Sequence, residues 1–189
     1  LGFDANGSYC LDDLGALQGL DALHPVMLEQ PLGPDDLTGH ARLQGLLACP
    51  VCLDESLTSA ARARAAIALR AGRIINIKPG RVGGHAAARA IHDLASGAGL
   101  PVWCGGMLET GVGRAHNVAL ASLPGFTLPG DLSPSRRYWE RDVVDPEWEM
   151  HDGTLRVPLD RPGIGVEVDR DLVESITVRR VELGAGGAA

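Results

Sequence analysis

The stretches Leu1-Gly-Phe-Asp-Ala-Asn6, Val26-Met-Leu-Glu-Gln-Pro31, Val51-Cys-Leu-Asp-Glu-Ser56 and Ile74-Ile-Asn-Ile-Lys-Pro79 are four short apolar runs, each closed by a charged residue. Those residues are Asp4, Glu29, Asp54 and Lys78, spaced by 25, 25 and 24 positions. A closed barrel of eight strand–helix units takes ~250 residues, so a strand, a loop, a helix and a second loop fill about this period. The spacing therefore predicts one charged residue at the C-terminal end of each of four successive parallel strands. Barrels of this type place their chemistry at that end.

The residues between the runs have helical spacing. Leu11, Leu14, Leu17, Leu20 and Leu23 recur along one face, with Asp12 and Asp13 in the first turn, where the helix dipole favours acids. A second helix is predicted over about 35–47. A third is predicted over about 59–71, with Ser59 as N-cap and Gly72 closing it. Residues 79–84 read as loop, 85–96 as helix, 100–103 as strand, 105–113 as a glycine-rich loop and 114–123 as helix. Phe126-Thr-Leu-Pro-Gly-Asp131 reads as one more strand with its loop. Strands alternating with helices make an α/β fold with a parallel sheet. Six strands of a (β/α) TIM-type barrel are counted, so two units are expected before Leu1, and the chain reads as an N-terminally truncated piece.

After about Asp131 the pattern changes. Residues 133–149 are polar and aromatic, and Asp152-Gly153 is a hairpin signal between short strand-like runs. The expected division is a barrel part over 1–149, a C-terminal segment over 150–183 and a disordered tail over 184–189.

Composition narrows the function. The chain has 45% apolar and 22% charged residues, as soluble globular proteins do. A net charge of −7 argues against a nucleic-acid partner, which needs a basic face. No apolar run approaches the ~20 residues of a membrane span. Cys49-Pro-Val-Cys52 has redox or half-zinc spacing, but no second cysteine pair or histidine pair completes a zinc site. Buried, reduced thiols in a cytoplasmic protein fit better. Gly106 to Gly111 copies the first half of a phosphate loop and then fails, because Val112 and Gly113 follow in place of Lys and Ser/Thr. The six histidines show no ligand spacing, and surface or packing roles are expected for them.

Three carboxylates at one mouth repel unless a cation sits among them. An all-oxygen donor set selects a hard ion, Mg²⁺ with Mn²⁺ as the alternative. Asp4, Glu29 and Asp54 are the candidate ligands. Lys78, on the next strand, can take an α-proton or stabilise an oxyanion. Asn6 and Glu55 adjoin proposed ligands and are candidates to support them.

These residues also resemble a family. Asp4-Ala-Asn-Gly-Ser-Tyr9, Leu28-Glu-Gln-Pro31, Leu53-Asp-Glu-Ser56, Asn76-Ile-Lys-Pro-Gly-Arg-Val-Gly-Gly84, Gly105-Gly-Met-Leu-Glu-Thr-Gly-Val-Gly-Arg-Ala-His-Asn117 and Leu123-Pro-Gly-Phe-Thr-Leu-Pro-Gly-Asp131 resemble the muconate-lactonizing subgroup of the enolase superfamily. Within it the chain looks like the o-succinylbenzoate synthase / N-acylamino acid racemase family. The resemblance implies that Asp4, Glu29 and Asp54 bind Mg²⁺, that Lys78 is an active-site lysine, and that Gly105, Gly106, Met107 and Glu109 line the substrate pocket. It implies a small carboxylate substrate, a metal-stabilised enolate, and a possible homo-oligomer. It further implies a second lysine, in a Lys-x-Lys word on an earlier strand, and an α+β capping domain toward which residues from about 150 would return. Neither is in this sequence, so the 189 residues alone are expected to be inactive. The favoured activity is the synthase, a dehydration in menaquinone biosynthesis, with the racemase second and a non-catalytic carboxylate-binding barrel piece third.

Overall fold

In the computed structural model, which describes residues 1–181, five strands form one parallel sheet in sequence order: β1 (Gly2–Asp4), β2 (Met27–Glu29), β3 (Val51–Leu53), β4 (Ile74–Asn76) and β5 (Val102–Trp103). A 3-10 turn (Leu11–Asp13) and helix α1 (Leu14–Asp21) join β1 to β2. Helices α2 (Leu37–Leu46) and α3 (Ala60–Leu69) follow β2 and β3. After β4 come a single helical turn, α4 (Pro79–Val82), and α5 (His85–Gly97). Helix α6 (Gly111–Ala121) follows β5.

The strands separate two apolar layers, because side chains alternate along a strand. Leu28, Val51, Leu53, Ile75, Ile77, Val102 and Cys104 point outward into the main core with Leu17, Leu43, Ala63, Ala66 and Ile91 of the helices. Cys52, Ile74 and Trp103 point the other way, with Met27 and Leu128 against them. The Trp103 indole N–H donates to Cys52 Sγ at 3.2 Å. Cys49 belongs to the outer core and Cys52 to the inner one, so the Cys-x-x-Cys spacing does not pair them, and all four thiols are free. Burial raises the Cys52 thiol well above its ordinary pKa, which keeps it protonated and inert.

Four local expectations are corrected. The strand expected at Phe126–Asp131 is reduced to one bridge, Val102 to Phe126. Its backbone then turns, with Thr127 N–H bonding to Gly125 O, and Pro129 has no N–H to continue a ladder. Helix α3 is closed by Arg70 in the left-handed region, not by Gly72. Gly72 is needed for close approach instead, since a Cβ there would meet Val51 O at 2.7 Å. The loop at 79–84 contains α4, with Pro79 at its first position. Helix α6 begins at Gly111 rather than at Arg114, and the carboxylate at its start is the protein's own: Asp142 Oδ1 accepts from Gly111 N–H at 2.8 Å.

Beyond the sheet, β6 (Val144–Asp145) pairs antiparallel with β9 (Glu167–Val168), and β7 (Met150–His151) with β8 (Thr154–Leu155). The second pair turns on Asp152 and Gly153, both at positive φ, as the Asp-Gly pair predicts. Helix α7 (Arg170–Ile176) follows β9, and Leu172 packs with Val143, Val144 and Trp148 against Ala115 and Val118 of α6. Among the described residues no helix is long and apolar enough to cross a membrane. The tail expected over 184–189 lies outside the described residues.

His40 on α2 ties the loop after β2 to the helix. Its Nδ1–H donates to Asp36 O at 2.7 Å, and its Nε2 accepts from Leu32 N–H at 3.2 Å. Only the neutral ring does both, and burial holds its pKa below the ordinary 6.5. The unfolded chain therefore binds the proton more readily, so this ring's contribution to stability is present above pH 6.5 and is lost as pH falls below it. Urea unfolding midpoints are expected to drop on acidification across that window, and to drop less in His40→Gln. Equal acid sensitivity in the two proteins would count against this account.

Candidate active site

The strand register places the charged residues on one face. Asp4 stands opposite Glu29, and Glu29 opposite Cys52. Asp54 is two positions beyond Cys52 and so projects to the same inner side. The same alternation carries Ile74, Asn76 and Lys78 inward on β4, and Trp103 and Gly105 on β5. The inward row is apolar at its lower level and charged at the strand ends.

Asp54 is the hub. It is fully buried, and its carboxylate takes two cations. Lys78 Nζ donates to Oδ2 at 2.7 Å, and the Arg81 guanidinium donates to Oδ1. Gln30 holds the backbone that presents Asp54. Its side-chain oxygen accepts from Asp54 N–H at 2.9 Å and Ser56 N–H at 3.2 Å, and its amide donates to Ser56 Oγ and Leu32 O. Glu29 is also buried, and Asn76 Nδ2 donates to its Oε1 at 2.8 Å. Burial pushes the Glu29 carboxyl up to about 7; the Asn76 bond and Lys78 oppose the rise, while Asp4 and Asp54 add to it. Asp4 is exposed. Asn6 donates to it twice at 3.0 Å, through its backbone and side chain, and bridges to Glu55 Oε1 at 3.1 Å.

The carboxylates share a mouth but not a point. Among the described residues no three acid, histidine or cysteine side chains close up as a metal cage. Lys78 and Arg81 draw Asp54 to themselves, which accounts for its place. The donors nevertheless fit a hard divalent ion, being all carboxylate oxygen. Glu55 Oε2 is buried with no hydrogen-bond partner, an orphaned acceptor that a cation's water shell would satisfy.

The glycine-rich loop after β5 sits directly against the lysine. Gly105 N–H donates to Asn76 Oδ1 at 2.8 Å, so Asn76 ties Glu29 to this loop. A Cβ at Gly105 would collide with Lys78 Cε and with the Asn76 amide. Gly105→Ala is therefore expected to displace both side chains and to destabilise the chain by about 1–3 kcal/mol, the usual cost of overpacking. Chemical denaturation measures it, and an unchanged midpoint would contradict the close contact. Glu109 uses its carboxylate on its own loop, accepting from Met107 N–H at 2.6 Å and from Asn117 Nδ2. Buried Arg114 donates to Glu109 O and Ser133 Oγ. Gly105, Met107 and Glu109 line a pocket of about 530 Å³ beside Lys78, together with Gly83, His85, His116 and Asn117. Gly106 stands apart from that lining, packed close under Asp131 O.

Several residues here carry no assignment from the sequence alone. Arg81 lies in the Lys-Pro-Gly-Arg word, yet nothing in its spacing says that it shares Asp54 with the lysine. Asn76 and Gln30 act through amides, and amides give no charge pattern to read. One strong signal does stand in the sequence: Lys78 is the sole lysine among 189 residues, where Lys and Arg together number 17. Arginine serves everywhere else a cation is wanted. Its guanidinium does not give up a proton in proteins, whereas a lysine amine does.

Residues 1–172 match the family described as enolase C-terminal domain-like. The chain belongs to that family. An enolase C-terminal domain accounts for the parallel sheet with charged strand ends. The chain is 58% identical over 174 residues to o-succinylbenzoate synthase of Geobacillus stearothermophilus, covering 92% of this chain and 46% of that protein. It is 54% identical over 175 residues to N-succinylamino acid racemase of Thermus thermophilus, covering 93% and 47%. A solved enolase-superfamily structure from Listeria innocua superposes with a TM-score of 0.87 at 42% identity, covering 91% of this chain and 46% of that one. The chain thus spans about half the length of the curated relatives it matches.

Proposed function

We propose that this enolase C-terminal domain carries the greater part of the active site of a Mg²⁺-dependent o-succinylbenzoate synthase, a carbon–oxygen lyase of the cytoplasm. The observation that carries the proposal is the sole lysine, held 2.7 Å from buried Asp54 on the face that Asp4 and Glu29 share. The 58% identity to a protein named o-succinylbenzoate synthase supports it. The half-length match and the open five-stranded sheet support a closed eight-stranded barrel in the longer protein.

Asp4, Glu29 and Asp54 would hold the ion, with Asn6 orienting Asp4 and Gln30 orienting Asp54. When bound, Mg²⁺ supplies the positive charge that a substrate carboxylate needs as it becomes an enolate. Lys78 faces the substrate from one side, where its ammonium stabilises the developing anion. In the synthase reading the α-proton goes to a second lysine, on a strand outside these 189 residues, which then protonates the departing hydroxide. Gly105 lets the loop approach the Lys78 stem closely, and Met107 would line the substrate pocket.

The second reading is an N-succinylamino acid racemase, favoured by the 54% identity to a protein of that name. There Lys78 itself takes and returns the α-proton, opposite the second lysine. Assay of the full-length protein on both substrate classes separates the two. The proposal expects faster dehydration with Mg²⁺; racemisation alone would replace it with the second reading, and neither activity would leave only a carboxylate-binding role.

A further inference from the structure

His85 is the first residue of α5, and His116 lies in the middle of α6. His85 Nε2 and His116 Nδ1 approach to 2.8 Å, with ring centroids 4.9 Å apart and planes inclined by 54°. Both rings are half-buried, and both form part of the wall of the pocket beside Lys78. Neither ring makes another hydrogen bond among the described residues. Gly80, Gly83 and Gly84 line the same pocket, and a Cβ on any of them would meet nothing within 4 Å.

We propose that His85 and His116 form a two-imidazole site for a divalent transition-metal ion of the Zn²⁺ type, separate from the carboxylates at the strand ends. A Zn–N bond is about 2.0–2.1 Å long, which sets neighbouring ligand nitrogens roughly 2.9–3.4 Å apart, from right-angled to tetrahedral geometry. At 2.8 Å the two nitrogens share one proton, so an ion binds by replacing that proton, with both rings turning to bring their lone pairs onto it. Imidazole suits Zn²⁺, Ni²⁺ and Cu²⁺, while Mg²⁺ prefers oxygen, so the two sites select different ions. Both rings line the pocket, which leaves room for water or a ligand carboxylate to complete the shell. Burial, with His116 beside it, lowers the His85 pKa, so that ring is uncharged near neutral pH.

The test titrates ZnCl2 calorimetrically into the full-length protein in excess Mg²⁺, in a Cys10→Ser background that removes the exposed thiol. One Zn²⁺ per chain is expected, with affinity falling on acidification, because protons compete with the ion for the ring nitrogens. His85→Ala and His116→Ala are each expected to weaken binding by roughly tenfold or more while retaining the far-ultraviolet dichroism of the parent. Co²⁺ added to the unmutated rings is expected to shift and broaden the NMR signals of His85 and His116, a readout that needs no variant to fold. Absent Zn²⁺ binding, binding that both alanine variants retain, or unmoved His85 and His116 signals would overturn the proposal and leave the pair as a hydrogen bond between helices.

Discussion

Lys78→Arg in the full-length protein is expected to lower turnover by a factor on the order of 10²–10³, the span that losing one positioned donor to a developing anion costs. The charge survives the change but its position does not, and stabilising the developing anion depends on where the cation stands. Two features of the site make the substitution severe. The planar guanidinium fork needs more room than the compact ammonium, and in the racemase reading it also cannot release a proton. Gly105 already lies against the lysine stem, so the larger head cannot take the ammonium's place without moving the loop. Steady-state kinetics with Mg²⁺ measure the effect, alongside a melting curve showing that the variant folds. Activity within a few-fold of the parent would remove Lys78 from the chemistry.

Asp54→Asn is expected to act on both metal binding and stability. Asp54 is buried and neutralises Lys78 and Arg81, whose side chains are 14% and 21% exposed. The amide keeps the shape but leaves two cations without their carboxylate. Breaking a buried pair by removing one partner costs about 3–5 kcal/mol, and the partial exposure of both cations puts this case near the lower end. Mg²⁺ affinity is expected to fall by more than the roughly 10–100-fold that losing an outer supporting partner costs. Calorimetry on the folded variant reads the second effect. Unchanged Mg²⁺ affinity would contradict the ligand assignment even if stability fell.

The strand ends were legible because burial writes itself into composition. Val51-Cys-Leu and Ile74-Ile-Asn are apolar on both faces, since helices cover one side and the inner layer the other. The single charge that follows each run therefore stands out. The Asp152-Gly153 turn was legible for a different reason, its backbone needing two positive φ values. The reduced strand at Phe126 was not, because whether a short apolar run pairs depends on a neighbouring edge and not on the run itself. Arg70 closing α3 defeats a rule that expects glycine there, and Gly72 was misread because its role is contact with Val51 O. Within the site, the ends of β1 to β4 carried the residues that the fold brings to one face. The sharing of Asp54 between Lys78 and Arg81, the Asn76 tie between Glu29 and Gly105, and the His85–His116 contact join residues 24 to 47 positions apart. No local pattern encodes such contacts. Lysine scarcity was a usable signal, and it points to the same residue as the strand period.

In the proposed reaction a base removes the substrate's α-proton, and the electron pair left behind becomes an enolate that Lys78 and a divalent ion held by Asp4, Glu29 and Asp54 would stabilise. Exchange of the substrate α-proton with solvent deuterium, followed by NMR in the full-length protein, tests it most directly, because the synthase and racemase readings share that step. Exchange is expected with Mg²⁺ and is expected to stop when Mg²⁺ is chelated. A substrate turned over or bound with Mg²⁺ present and its α-proton retained throughout would contradict the account.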